Sequence, residues 1–337
     1  MRKPSSRPAV LVTGGAGYIG SFTVRALAAR GVPVVVLDDL SRGHRGALPR
    51  GIPLVAARVQ EHGRVRRLLR SRPFSAVVHF AAFAYVAESV EDPWKYRENN
   101  ILGTAALLEE MIDAGVRAFV FSSSCAVYGV PRGSRIRETA PRAPVSPYGE
   151  TKASSEALLE RLEEAGGIRS FRLRYFNAAG AAADGSIGED HDPEPHLIPR
   201  ALGAASKGTS LKVFGADYPT PDGTCVRDYV HVEDLAEAHV AAVERLARGR
   251  PGGALNLGTG RGHSVLEVAR TVGEVTGRPV RTRVVARRPG DPPFLVAAPG
   301  RAKSVLGWEP RHGTLRSIVA TAWEWHRRHP EGYGGRA

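Results

Sequence analysis

The 337-residue sequence is poor in cysteine, in lysine and in long apolar runs, and each shortage excludes something. Its two cysteines, Cys125 and Cys225, have no spacing for zinc or for redox exchange and cannot make a disulfide framework, so both are expected as reduced core thiols. No metal site is expected. No apolar stretch approaches the roughly 18 residues of a membrane span, and the start runs from Arg2-Lys3-Pro4 toward a strand without a signal-type hydrophobic segment. No membrane association and a cytoplasmic location are therefore expected. There are only six lysines against 41 arginines, and the formal net charge is +13. A basic excess of this size invites comparison with nucleic-acid binders. The arginines are scattered, however, with the nearest clusters at Arg64–Arg72 and Arg281–Arg288 and no interleaved aromatics. Nucleic acid is not expected. With 42% hydrophobic residues, the chain has ordinary globular content and enough length for one or two domains.

What is present begins with a strand, Ala9–Thr13, running into Gly14-Gly15-Ala16-Gly17-Tyr18-Ile19-Gly20 and then a helix to about Arg30. Glycines in a strand–turn–helix context permit a tight turn and close backbone approach, and the helix N-terminus faces a pyrophosphate. A second strand, Val34–Leu37, ends at Asp38, eighteen residues after Gly20. A carboxylate there suits a ribose 2′-hydroxyl and repels a 2′-phosphate, favouring NAD over NADP, although Arg42 and Arg45 stand just downstream. Strands at Ala76–Ala81, Ala118–Phe121 and Phe171–Phe176 alternate with helices at Arg64–Arg70, Asn99–Ala114 and around Lys152. This alternation predicts an α/β fold: a Rossmann-type doubly wound parallel sheet with a smaller α/β C-terminal lobe. The switch-point rule places a ligand where the glycine turn, Asp38, Ala81-Ala82 and Ser122–Ser124 fall. His79, inside an apolar strand, reads as a core histidine. Ala178–Pro199 and Phe214–Val226 read as loops, Arg227–Leu246 as helical, Ala254–Leu257 as a strand, and the tail as a helix (Val265–Thr276), a basic strand (Val280–Val285) and a helix (Thr314–Arg328). The expected division is a first domain over 1–180, with segments near 227–260 returning to it, and a second lobe over 181–330.

The chemistry is expected at Ser122-Ser123-Ser124 and at Tyr148-Gly149-Glu150-Thr151-Lys152. Tyrosine and lysine four apart on a helix share a face, one turn from each other. An ammonium that close favours the phenolate of a group that ordinarily ionises near pH 10 (about). Such a tyrosine can take a proton from an alcohol, with Ser124 sharing a hydrogen bond to the same oxygen. A bare Tyr-x-x-x-Lys is commonly a chance pair. Here it follows a nucleotide-binding signature, and in a chain that otherwise uses arginine the cation at position 152 is lysine, the smaller head group.

Together, Thr13–Gly20, Ser122–Ser124 with Val127-Tyr128-Gly129, Ser146–Gly149 with Lys152, Arg174-Tyr175-Phe176-Asn177 and Arg227–Val232 resemble the extended short-chain dehydrogenase/reductase superfamily. Phe214-Gly215, Asp217–Thr220, Asp222–Thr224 and Trp323-Glu324-Trp325 make the chain similar to UDP-glucose 4-epimerases. The resemblance covers nearly the whole chain. It implies that hydride passes from C4 of a UDP-hexose to tightly held NAD+ while Tyr148 removes the O4 proton. The 4-keto sugar then turns over, and hydride returns to its other face. It extends the cofactor set (Gly14, Gly17, Gly20, Asp38, Ala81, Ala82, Ser122, Tyr148, Lys152) to Tyr18, Ile19, Phe80, Asn99 and Tyr175. It assigns Asn177, Leu197, Phe214, Arg227, Arg288 and Asp291 to the UDP, alongside Ser124 and Tyr148, with Leu295 at the hexose. It also implies a homodimer. Three positions depart from the family pattern: Ala84 replaces a cofactor-contacting lysine, Arg58 an aspartate that meets adenine, and Leu295 a bulkier tyrosine. The first two weaken the grip on NAD, and the third leaves room for a 2-acetamido group, so UDP-N-acetylglucosamine is expected as a substrate beside or instead of UDP-glucose. The rival readings are another enzyme acting on nucleotide sugars (a dehydrogenase, a UDP-glucuronate epimerase or a biosynthetic-pathway epimerase) and a non-catalytic NAD-sensing module. A 4,6-dehydratase lacks its equipment, because Cys125 and Ala126, not acids, follow Ser124.

Overall fold

A computed structural model of the chain describes residues 7–131, 133–288 and 290–334. The elements run β1 (Ala9–Thr13), α1 (Tyr18–Ala29), β2 (Val34–Asp38), β3 (Leu54–Ala56), α2 (His62–Ser71), β4 (Phe74–His79), α3 (Val86–Glu91), α4 (Pro93–Tyr96), a wide π-helical turn (Arg97–Leu102), α5 (Gly103–Asp113), β5 (Ala118–Ser124), α6 (Pro147–Glu164) and β6 (Arg169–Tyr175). They continue with β7 (Asn177–Ala179), α7 (Leu197–Lys207), β8 (Ser210–Phe214), β9 (Val226–His231), α8 (Val232–Ala247), β10 (Gly253–Leu257), β11 (Gly262–Ser264), α9 (Val265–Thr276), β12 (Arg281–Val285), β13 (Phe294–Leu295), α10 (Gly300–Leu306) and α11 (Leu315–Arg328).

The chain divides into two compact units. The first takes residues up to Val127, then Pro144–Arg174 and Ala236–Leu255; the second takes Tyr128–Ala143, Tyr175–Leu235 and everything from Asn256. The stretch returning to the first unit is thus α8 from Ala236 onward and the start of β10, shorter than the 227–260 read from sequence.

In the first unit the strands form one sheet in the order β10-β6-β5-β4-β1-β2-β3. The pairs β1–β2, β2–β3, β1–β4 and β4–β5 are parallel. Every residue of β1, β2 and β5 is buried, as expected for strands covered on both faces. Leu11, Val35, Val77, Leu107, Met111 and Phe119 belong to one core cluster joining this sheet to its helices. The order of the first six strands is the Rossmann one, and the sheet reverses direction of growth between β1 and β4.

The second unit contains a small sheet ordered β11-β9-β13, with β7 also pairing β9, and a two-stranded sheet of β8 and β12. Its core packs α7, α9 and α11 through Leu202, Val268, Val272, Ile318 and Val319. Two expectations fail here. Arg227–His231 is strand, not helix: Val226, Tyr229 and Val230 are buried, and three short strands distant in sequence pair with it. Leu197–Pro199 is not loop but the first turn of α7, where proline is tolerated because the first amides of a helix have no partner within it. Among the described residues, no helix is long and apolar enough to cross a membrane.

Candidate active site

In the first unit the glycine turn joins β1 to α1. Gly14 has φ +68°, and a Cβ there would lie 2.5 Å from the Ala81 nitrogen, so this turn and the strand-end Phe80-Ala81 are pressed together. A Cβ on Gly20 would sit 2.2 Å from the Gly14 carbonyl oxygen, which explains the third glycine by helix–turn packing. Gly17 is different. Its backbone is ordinary (φ −76°, ψ 174°) and a Cβ would meet nothing nearer than 3.4 Å. Neither conformation nor internal packing requires glycine there. The position caps α1, whose first turn has no side-chain cap. Backbone amides at a helix start with side-chain space left clear are what a dinucleotide pyrophosphate needs, so the residues fit NAD. Tyr18 and Ile19 form the first turn of α1.

Asp38 ends β2, 6% exposed, and accepts from the Ala16 and Leu40 amides at 2.9 Å each. Burial raises its pKa, opposed by those two amides. The carboxylate is therefore fixed beside the glycine turn. Arg42 pairs with Glu88 (3.1 Å) and lies over the Tyr85 ring (4.8 Å). Arg58 pairs with Asp39 at 3.4 Å and is 69% exposed, and Ala84 is exposed. Asn99, in the π-helical turn, accepts from Gln60 and donates to Asn100. Phe80 lies against His239, with ring centroids 4.6 Å apart.

Tyr148 and Lys152 both lie in α6. Ser146 caps this helix by accepting from the Gly149 amide at 3.2 Å, and Pro147 occupies its first turn. A Cβ on Gly149 would fall 2.7 Å from the Ala126 oxygen, so the start of α6 presses on the segment directly after β5. That contact brings Tyr148 to the end of the strand that carries Ser124. Ser89 of α3 accepts from the Tyr148 amide at 3.1 Å. Lys152 Nζ donates to the Ser122 carbonyl at 2.8 Å, 5.9 Å from the centre of the Tyr148 ring and 4.9 Å from that of Phe121. Ser124 Oγ accepts from the Ala126 amide at 3.1 Å.

Lys152 is 3% exposed. Burial pushes its amine down to about 7, against the opposing pull of Glu156 one turn further on. An amine this far from water holds its proton most readily when an anion forms beside it, and the Tyr148 phenolate is such an anion. Glu156 is held by Arg174 in a buried ion pair and accepts from Ser123 Oγ at 2.6 Å. Arg174 and Ser123, which the sequence reading quoted without a role of their own, and Glu156, which it did not name, together fix the surroundings of Lys152. Two further residues that the sequence reading did not name are Ser89 and Asn100; Asn100 bonds both backbone groups of Phe83 and the Thr151 hydroxyl, tying the 80–85 segment to α6. His79 is a core histidine: Thr13 and Thr104 occupy its two ring nitrogens, and burial, reinforced by Lys152, takes it down to about 3.

In the second unit the residues assigned to UDP form a separate group. Arg288 lies over the Phe214 ring, 3.9 Å from its centroid, at the end of β8. Although Arg288 keeps an exposed surface, partial desolvation lowers its pKa against the opposing pull of Asp291, with Arg200 of α7 and Arg227 adding like charge. Arg200 is a third cation that the sequence reading missed, because no helix was read between Pro199 and Phe214. Arg227 in β9 pairs with Asp291. Asp291 is therefore engaged by an arginine as well as carrying acceptor capacity. Leu295 stands opposite Arg227 in the β13–β9 register and is half-buried. Asn177 opens β7, Leu197 opens α7 and packs on the core of that unit, and Tyr175 ends β6.

A family model described as the NAD dependent epimerase/dehydratase family matches residues 10–258. The chain belongs to this family. Within it, the UDP-glucose 4-epimerase of Lactobacillus helveticus is 47% identical over 325 residues, covering 96% of this chain and 98% of that protein. The crystal structure of UDP-glucose 4-epimerase from Brucella ovis in complex with NAD superposes with a TM-score of 0.91 at 48% identity, covering 94% of this chain and 97% of that one. The Stenotrophomonas maltophila UDP-glucose-4-epimerase, with bound NAD and formylated UDP-arabinopyranose, gives a TM-score of 0.93 at 41% identity, covering 96% and 99%. This family match runs through the glycine turn, β5, α6 and β9.

Proposed function

We propose that the protein is a NAD-dependent isomerase that interconverts UDP-hexoses at C4. The observation carrying this reading is near-half identity over almost the whole chain to a UDP-glucose 4-epimerase; Ser124 at the end of β5 and Tyr148 and Lys152 in α6 support it. When bound, NAD supplies a hydride acceptor that becomes the donor within one turnover. Gly14, Gly17 and Gly20 with the start of α1 suit its pyrophosphate, and Asp38 its adenosine ribose. Tyr148 acts as the base that takes the O4 proton and later returns it. Ser124 donates its hydroxyl hydrogen to the same oxygen, and the Lys152 ammonium favours the phenolate. Arg227 and Arg288, with Arg200 beside them, suit the diphosphate, and Phe214 offers a face to the uracil. Asn177, Leu197 and Asp291 complete the nucleotide set.

Leu295 supports a finer reading. Adjacent in register to Arg227 and shorter than tyrosine, it suits a sugar bearing a 2-acetamido group, so we include UDP-N-acetylglucosamine among the substrates. A homodimer accords with Val86, Val90, Trp94 and Leu102 of the first unit, which are 49%, 64%, 74% and 61% exposed on α3, α4 and the π-helical turn. Neither Cys125 nor Cys225 is joined in a disulfide, which accords with a cytoplasmic setting.

The test is to incubate the purified chain with UDP-glucose, UDP-N-acetylglucosamine and UDP-glucuronate, with and without added NAD, and to separate the C4 epimers by chromatography. Epimers should form without net NADH absorbance, and Tyr148→Phe should lower the rate by about 10²–10⁴-fold. Stoichiometric NADH would instead mark a dehydrogenase, and a function that survived Tyr148→Phe would mark a sensor.

A further inference from the structure

Glu189, His191, Glu194 and His196 take no part in the chemistry above. They occupy the irregular stretch before α7 in the second unit, where sequence spacing gives no sign of a metal site. The fold nevertheless brings one ligating atom from each within 4.8 Å of all the others. His191 Nδ1 lies 3.2 Å from Glu189 Oε1 and 3.6 Å from Glu194 Oε2. His196 Nδ1 lies 2.6 Å from Glu189 Oε1 and 3.0 Å from Glu194 Oε1. A tetrahedral zinc ion with bonds of about 2.0–2.1 Å keeps its ligand atoms about 3.3 Å apart; the two histidine–Glu189 separations fall on or below that value, and each histidine has a different Glu194 oxygen near it.

The proton inventory points the same way. His196 Nδ1 has an aligned hydrogen bond to Glu194, yet Glu189 Oε1 crowds the same nitrogen. The Glu189 side chain is 5% exposed, and its Oε1 makes no aligned hydrogen bond. Both His191 Nδ1 and His196 Nδ1 approach Glu189 Oε1, yet neither meets it in hydrogen-bond alignment; a cation at the centre serves all four side chains. The surroundings hold this geometry rigidly. Trp325 Nε1 donates to the Glu189 carbonyl at 2.9 Å, and Gly188 packs so tightly on the Trp325 ring that a Cβ would lie 2.3 Å from it. The other histidine–carboxylate group, His231, Glu233 and His312, differs. Both ring nitrogens of His231 are already engaged, one by Thr321 Oγ1 at 3.0 Å and one by the Glu233 amide at 3.1 Å.

We propose that Glu189, His191, Glu194 and His196 bind one divalent transition-metal ion of the zinc class. Two imidazoles and two carboxylates make a closed four-ligand set, which marks a structural rather than a catalytic ion. It fastens residues 189–194 to the start of α7, the helix that carries Leu197 and Arg200.

The experiment titrates chelator-treated full-length protein with Co²⁺, followed by its d–d absorption, and then displaces Co²⁺ with Zn²⁺. One Co²⁺ per chain with a four-coordinate spectrum, displaced by one equivalent of Zn²⁺, is expected. Glu194→Gln and His191→Ala should weaken Zn²⁺ binding by more than about 100-fold, the upper range for losing an outer-shell partner. His231→Ala should leave it unchanged. The wild-type spectrum needs no variant to fold, and Glu194→Gln preserves size and hydrogen bonding. Absence of the four-coordinate spectrum, or Zn²⁺ affinity unchanged in both Glu194→Gln and His191→Ala, overturns the proposal; the latter would place the ion elsewhere on a chain with eleven histidines.

Discussion

Replacing Lys152 by methionine should remove turnover and, at neutral pH, make the protein more stable. The amine ordinarily ionises at 10.5, and burial brings it to about 7. At pH 7 the unfolded chain carries this proton fully and the folded chain about half the time, which costs the folded state about 4 kcal/mol. Methionine fills similar volume without that cost. It gives up the bond to the Ser122 carbonyl, worth about 1–3 kcal/mol, so the net gain at pH 7 should be about 1–3 kcal/mol. The sign follows from proton counting. Between about 7 and 10.5 the unfolded wild type binds more protons at this site than the folded wild type, so wild-type stability rises with pH across that window, and the advantage of Lys152→Met falls by about 4 kcal/mol. Urea unfolding of cofactor-free wild type and Lys152→Met at several pH values from 7 to 10.5 measures this, and the other titrating groups cancel in the difference. A stability difference that did not change with pH would refute the reasoning, since it would mean that the folded lysine keeps an ordinary affinity for its proton.

Other substitutions separate packing from binding. Gly17→Val should melt within about 1 kcal/mol of wild type yet bind NAD about 10–100-fold more weakly, whereas Gly20→Ala should lose about 1–3 kcal/mol of stability; thermal melting and equilibrium dialysis distinguish them. Arg288→Ala should weaken UDP binding about 10–100-fold by calorimetry, and Arg288→Lys should recover only part of it because the planar stack on Phe214 is lost. Leu295→Tyr should lower turnover of UDP-N-acetylglucosamine relative to UDP-glucose by about tenfold or more, read from matched initial rates.

The first unit was readable because its chemistry is written locally. Short apolar runs buried on both faces give β1, β2 and β5. The glycine turn and Asp38 belong to one strand–helix–strand unit, and Tyr148 and Lys152 are a helix turn apart. The second unit was less readable because its groups sit on two- to six-residue strands whose partners lie far along the chain. Arg227 meets Asp291 across 64 residues, and β9 takes its strand character from β7, β11 and β13 rather than from its own pattern. A stretch such as Arg227–Leu246 thus read as one helix when a strand and a helix share it.

Even where placement was legible, charge state was not. Spacing puts Lys152 beside Tyr148, but the protonation of its amine depends on being sealed beneath Phe121 with Nζ donating to the Ser122 carbonyl, and on Glu156 being already claimed by Arg174. Those are properties of packing between β5, β6 and α6. A sequence reading assigns the lysine a full positive charge; the fold makes that charge conditional on an anion at Tyr148, so proton removal from the substrate and protonation of the lysine reinforce each other. On the proposed mechanism, Arg174 and Ser123 would act on the reaction through Glu156 without touching substrate. Loosening Glu156 from Arg174 would leave its carboxylate to favour the lysine's proton permanently, and the amine would no longer respond to what forms beside it.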